Sequence, residues 1–206
     1  AMNFSNIAAS CVIQKLGAAT ITPQEIQKKL SSITPIKFGA LNTQSVKLEI
    51  NKAKSIGKKI VFTNGCFDLI HAGHVSYLKK AKQLGDLLLV AINDDSSIKR
   101  IKGDTRPIST LESRIKVLES LECVDWVISF TEDTPKNLLS QIQPDILAKG
   151  GDYKSTTEII GYEIIQAYGG KAIIIDHDFQ DYSTTKLIDK ITQDNNHKHK
   201  HIHALT

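Results

Sequence analysis

Several things are scarce in this 206-residue chain. Its three cysteines, Cys11, Cys66 and Cys123, are widely spaced. They form no close pair of the kind a zinc site needs, and they predict a reduced, cytoplasmic protein. No apolar run is long enough to span a membrane, and no signal-peptide pattern opens the chain. The net charge is only +4, partly from lysines near the end, and no basic run is interleaved with aromatics. Nucleic acid is therefore not an expected partner. No internal repeat and no low-complexity linker divide the sequence.

What remains is an ordinary globular composition, long enough for one buried α/β domain and an appendage. Five short apolar runs read as buried parallel strands: Lys59–Thr63, Asp86–Ile92, Trp126–Phe130, Asp145–Ala148 and Lys171–Ile175. Amphipathic helices fall between and after them, at His74–Leu84, Thr110–Leu121, Pro135–Ile142, Glu158–Tyr168 and Ser183–Ile191. Alternation of this kind predicts βαβ units in a doubly wound, Rossmann-like, five-stranded parallel sheet. Before it, Thr43–Ser55 reads as a helix, and Asn3–Leu16 and Pro23–Leu30 as two short ones. Thr22 is the expected cap of the second, with Pro23 at its first position and Glu25 closing a capping box. The expected division is a helical appendage over 1–42, the main domain over 43–194 and a polar tail over 195–206 holding His197, His199, His201 and His203.

The densest signal is Val61–His74. It reads as a strand, a tight turn and a helix start, with His71 and His74 three residues apart and Gly73 between them. A helix start offers unpaired N–H groups and favours anions, phosphate above all. Two imidazoles there suit phosphoryl chemistry, which relies on positioning and electrostatics. Capping or surface histidines are the plain alternative. A metal pair completed by Cys66 or Asp68 is another.

Three further segments follow the carboxyl ends of strands, where open α/β sheets bind ligands. Lys99–Pro107 reads as a basic loop whose Lys102 follows phosphates and whose Arg106 holds an acceptor phosphate or pyrophosphate. A solvated basic loop is its plain alternative. Lys149–Tyr153 has two glycines for close backbone approach and Asp152 for sugar hydroxyls, or else is a simple glycine turn. Tyr182–Lys186 opens the last helix with hydroxyls at Ser183, Thr184 and Thr185, a second phosphate site or an ordinary N-cap. Asp125 and Trp126 read as structural, and Cys66 as a small buried residue rather than a nucleophile.

Taken together, Thr63–Asp68, His71-Ala72-Gly73-His74, Lys102-Gly103 with Arg106-Pro107, Asp125-Trp126-Val127, Lys149–Tyr153 and Ser183-Thr184-Thr185 resemble one family. It is the adenylyltransferase domain of the heptose-phosphate kinase/adenylyltransferase of Gram-negative bacteria, within the nucleotidyltransferase superfamily that carries the His-x-Gly-His signature. The resemblance runs from about Val46 to Ile191. It implies transfer of AMP from ATP to D-glycero-β-D-manno-heptose 1-phosphate, with Mg²⁺, giving ADP-heptose and pyrophosphate for the lipopolysaccharide inner core. It implies catalytic roles for His71, His74 and Lys102. It implies nucleotide or phosphate binding by Thr63, Asn64, Gly65, Cys66, Phe67, Gly73, Ser183, Thr184 and Thr185. It implies substrate binding by Asp68, Arg106, Lys149, Gly150, Gly151, Asp152 and Tyr153.

Asn6–Thr20 resembles the end of that family's sugar-kinase domain. The Gly-Ala-Gly-Asp motif of the kinase is absent, so no kinase activity is expected. Ala1 ahead of Met2 reads as an expression-tag residue, and a homodimer is the expected assembly. A cytidylyltransferase for glycerol 3-phosphate, or an inactive nucleotide sensor, are the rival functions.

Overall fold

The computed structural model describes residues 22–25, 35–151, 153–176, 184–188 and 190. The helix Asn3–Leu16, most of the helix Pro23–Leu30, Cys11, Asp152, Ser183 and the histidine-rich tail lie outside the described residues. At 22–25 the capping box forms as its sequence predicts. Thr22 N–H donates to Glu25 at 2.9 Å, and Glu25 N–H donates to Thr22 Oγ1 at 3.3 Å.

In chain order the elements are β1 (Gly39–Ala40), α1 (Thr43–Ser55), β2 (Ile60–Gly65), α2 (Ala72–Lys82), β3 (Leu87–Asn93), α3 (Asp95–Lys102), α4 (Leu111–Glu119), β4 (Trp126–Phe130), α5 (Lys136–Ile142), β5 (Ile146–Gly150), a 3₁₀ turn (Thr156–Glu158), α6 (Tyr162–Ala167) and β6 (Lys171–Ile175). Residues 184–188 are helical. The strands form one parallel sheet in the order β1-β4-β3-β2-β5-β6. Both faces are covered, which is why β3 reads as seven consecutive buried residues rather than as an alternation. Phe62, Leu89, Ala91 and Leu147 pack on one face, and Val61, Leu88, Val90 and Ala148 on the other. Among the described residues no helix is long and apolar enough to cross a membrane.

Three sequence expectations change. The sheet has six strands, not five. The extra strand, β1, has two residues and no apolar run, so its pairing with Trp126 and Val127 is set by tertiary contacts. Phe38 stacks on Trp126 with ring centroids 6.1 Å apart, and Trp126 Nε1 donates to the Lys37 carbonyl at 2.7 Å. Residues 39–40 thus pair into the sheet. Next, Lys99–Pro107 is not all loop. Asp94 caps α3 by accepting from Ser97 N–H at 2.7 Å, and the helix runs to Lys102. It stops at Gly103, whose φ of +94° suits a residue without Cβ. Lastly, α2 starts two residues before His74, with His71 as its cap.

Candidate functional site

The chain runs outward from β2 through β3 to β4, then returns to the other side of β2 for β5 and β6. The order therefore reverses between β2 and β5, and ligands in such sheets bind at the carboxyl ends flanking that point. Here the two strands also part. Their pairing covers only Val61 with Ile146 and Phe62 with Leu147. Beyond it the strands fork, and side chains stitch the fork. Tyr77 Oη lies 2.6 Å from Thr63 Oγ1 and donates to the Ala148 carbonyl at 3.0 Å. Lys149 Nζ donates to the Asn64 carbonyl at 2.9 Å. A pocket of about 230 Å³ sits in the fork.

Its floor is Asn64 and Gly65 at the end of β2, Cys66 and Phe67 just after it, and Lys149 and Gly150 at the end of β5. His74, Tyr77, Lys102, Asp68, Tyr153 and Thr184 complete the wall. Gly65 leaves room for the Phe67 ring, which a Cβ there would approach to 3.0 Å, so any side chain would press on it. Phe67 itself has φ +45°, a conformation that costs a non-glycine residue on the order of 1–3 kcal/mol. That backbone turn aims the Phe67 ring at His74, with centroids 5.2 Å apart.

The two histidines stack, with centroids 3.9 Å apart and planes 30° from parallel. His71 caps α2 through its extended backbone, and its own side chain makes no capping hydrogen bond. Burial lowers the pKa of His71 and favours the neutral ring. Burial also pushes the Lys149 ammonium down to about 8.

Other residues singled out from the sequence are placed differently. Thr63 is fully buried beneath the pocket and spends its hydroxyl on Tyr77. Cys66 is half-buried and lines the pocket, so it is not the core residue its size suggested. Gly73 is buried in the first turn of α2. Gly151 turns the chain after β5 with φ +112°. Thr184 Oγ1 donates to the Leu69 carbonyl at 3.4 Å, while Thr185 is exposed. Asp68 is engaged within the protein, accepting from Arg106 Nε at 2.6 Å and from the N–H groups of Ile108 and Ser109 at 2.8 Å each. Burial acts to raise its pKa, but these donors outweigh it and hold the carboxyl below its usual range. Among the described residues no group of three His, Cys, Asp or Glu side chains is arranged to hold a metal ion.

Two residues of the site went unnoticed in the sequence. Tyr77 follows His74 by three positions in α2, and that spacing makes them neighbours on the helix surface. Arg114 interrupts the apolar face of α4 and is 1% exposed. It donates to the carbonyls of Cys66 at 2.7 Å and Asn93 at 2.8 Å, and pairs with Asp95 at 2.7 Å. A charge on the buried face of an amphipathic helix was the available signal.

The model of the cytidylyltransferase-like family matches residues 62–190. The bifunctional protein HldE of Escherichia coli O139:H28 is 48% identical over 192 residues, 93% of this chain. The same protein from Shigella boydii serotype 18 matches equally. The chain spans about 40% of the length of these curated relatives. Among solved structures, pantoate-beta-alanine ligase from Francisella tularensis, complexed with beta-gamma ATP and beta-alanine, has a TM-score of 0.53 and 20% identity. That match covers 70% of this chain and 69% of the other and supports the fold alone.

Proposed function

This chain belongs to the cytidylyltransferase-like family, and from that premise we propose that it transfers AMP from ATP to D-glycero-β-D-manno-heptose 1-phosphate, releasing pyrophosphate and ADP-heptose in the cytoplasm. One observation carries the reading. His74, Lys102, Lys149 and Thr184, from four separate segments, meet in one pocket at the reversal point of the sheet.

In this reaction a phosphate oxygen of the acceptor attacks the α-phosphorus of ATP in line. The new P–O bond forms as the bond to the β-phosphate bridging oxygen breaks, and pyrophosphate leaves. His74 and Lys102 are the groups assigned to charge on the transferring phosphoryl and the leaving group. The start of α2, where the His71 side chain makes no capping bond, adds N–H donors on the same side. His71 orients the His74 ring by stacking on it. Asn64, Gly65, Cys66, Phe67 and Gly73 form the nucleotide side, with Thr63 supporting them from below. Lys149, Gly150, Gly151 and Tyr153 form the acceptor side.

Among the described residues no three His, Cys, Asp or Glu side chains gather to hold an ion, and Mg²⁺ is taken to arrive on the triphosphate. Mg²⁺ when bound neutralises phosphate charge. The chain aligns with only part of its relatives' length, so no activity of the remainder is assigned to it.

The test is pyrophosphate release from ATP plus the heptose 1-phosphate, beside CTP plus glycerol 3-phosphate. Release that requires the first pair is the expected result. Release with the second pair alone overturns the substrate, and silence with both overturns the activity.

A pH dependence follows from Lys149. Its ammonium is the form that attracts the acceptor phosphate, and it is populated below a pKa of about 8. The kcat/KM for acceptor is therefore expected to fall as pH rises through about 8, since that ratio reports the free enzyme. Lys149→Met is expected to lose this limb of the profile. An unchanged limb in that variant assigns the titration elsewhere.

A further inference from the structure

We propose that Asp68 and Arg106 form a positioning pair that holds Lys102 over the pocket, instead of touching substrate themselves. The proposal rests on the nucleotide-binding part of the function above.

The carboxylate of Asp68 is already used in full. Three donors from one short stretch converge on it: Arg106 Nε and the N–H groups of Ile108 and Ser109. The side chains are 1% and 12% exposed, so the pair is shielded from solvent and its attraction is little screened. A carboxylate with these partners has little acceptor capacity left for sugar hydroxyls. Arg106 Nε is likewise committed to Asp68, while its Nη2 is buried with no hydrogen-bond partner among the described residues.

Lys102 needs such help. It is the last residue of α3 and is exposed, and no side chain among the described residues is seen holding its ammonium. Its placement is therefore set by its backbone. On one side that backbone is α3. On the other, Gly103 leaves the helix and the Arg106 N–H donates to the Gly103 carbonyl at 3.1 Å, closing a tight turn. Arg106 then ties the turn to Asp68, which sits between Phe67 and His71 in the β2–α2 segment. The pair thus couples the lysine side of the pocket to the histidine side. Positioning of this kind matters because small misplacements of a charge-stabilising group carry large kinetic penalties.

If Arg106 acts through Lys102, removing it costs nothing further once Lys102 is gone. MgATP affinity is measured by calorimetry for wild type, Arg106→Gln, Lys102→Gln and the double variant. The expected result is a loss on the order of tenfold from Arg106→Gln alone, within the usual range for coupled neighbours, and under about twofold in the Lys102→Gln background. Arg106→Lys, which keeps the charge toward Asp68, is expected to recover part of the loss, and it completes the same cycle should Arg106→Gln fail to fold. Equal losses in both backgrounds overturn the proposal. So does a Lys102→Gln protein that binds MgATP as wild type does. An acceptor KM that rises in Arg106→Gln whether or not Lys102 is present returns Arg106 to direct phosphate binding. Failure of the proposed reaction is read separately, as wild-type protein that releases no pyrophosphate, and the affinity cycle still decides the role of the pair.

Discussion

Replacing His74 with alanine is expected to lower turnover on the order of a hundredfold or more, the usual loss when one preorganised donor to a developing charge is removed. The expectation comes from how firmly the ring is held. It stacks on His71 at 3.9 Å and meets Phe67 at 5.2 Å. Phe67 is there because the chain adopts φ +45° at that residue. A protein that spends strain to fix a side chain has fixed it before substrate arrives, and preorganisation is what makes a donor effective. The fold should survive, because α2 is anchored by Tyr77, Leu78 and Ala81 on its buried side. The measurement is steady-state pyrophosphate release, with a urea unfolding curve as control. A loss in kcat with acceptor KM nearly unchanged fits a group that acts in the transition state. Near-wild-type turnover in stable protein sinks the assignment of His74.

Why some of this site was readable in sequence and some was not has a physical basis. The strands β2 to β5 announce themselves because burial demands apolar runs, and the half-buried edge strand β6 keeps such a run in Ala172–Ile175. β1 does not, since two residues at an edge need only a neighbour to pair with, and Trp126 supplies it from 87 positions beyond Gly39. His74 and Lys149 were legible because special residues follow strand ends, where the fold places ligands. Asp68 and Arg106 were legible as polar residues near the site but not as a pair, since only the folded chain shows that they lie 2.6 Å apart. The helical state of Lys102 was hidden by a basic, glycine-ended segment, although Asp94 as a cap was the local cue. Tyr77 was missed because a tyrosine on an amphipathic helix reads as core. Its hydroxyl does its work only where two strands stop pairing.

The largest stability effect is expected from Arg114→Met. The guanidinium is fully buried, and it serves three carbonyls and one carboxylate: Cys66, Asn93 and Ser109, and Asp95. Those groups come from the β2–α2 turn, the end of β3, the entry to α4 and the first turn of α3. One side chain therefore fixes the mutual position of the segments that carry His74 and Lys102. Methionine fills much of the volume but leaves the carbonyls unpaired, and breaking a buried charged network costs about 3–5 kcal/mol. The urea midpoint should drop accordingly with the m-value unchanged, since the folded state stays compact. Arg114→Lys should not restore stability, because an ammonium lacks the planar fork that reaches several acceptors at once. Asp95→Asn should cost less, because the asparagine amide oxygen still accepts from the Arg114 guanidinium and the three carbonyls keep their bonds. The contrast between the two partners is the informative part. Equal losses from Arg114→Met and Asp95→Asn would mean that the ion pair carries the stability. A large loss at Arg114 alone means that the backbone carbonyls do, and that the floor of the pocket is held up by hydrogen bonds to its own main chain.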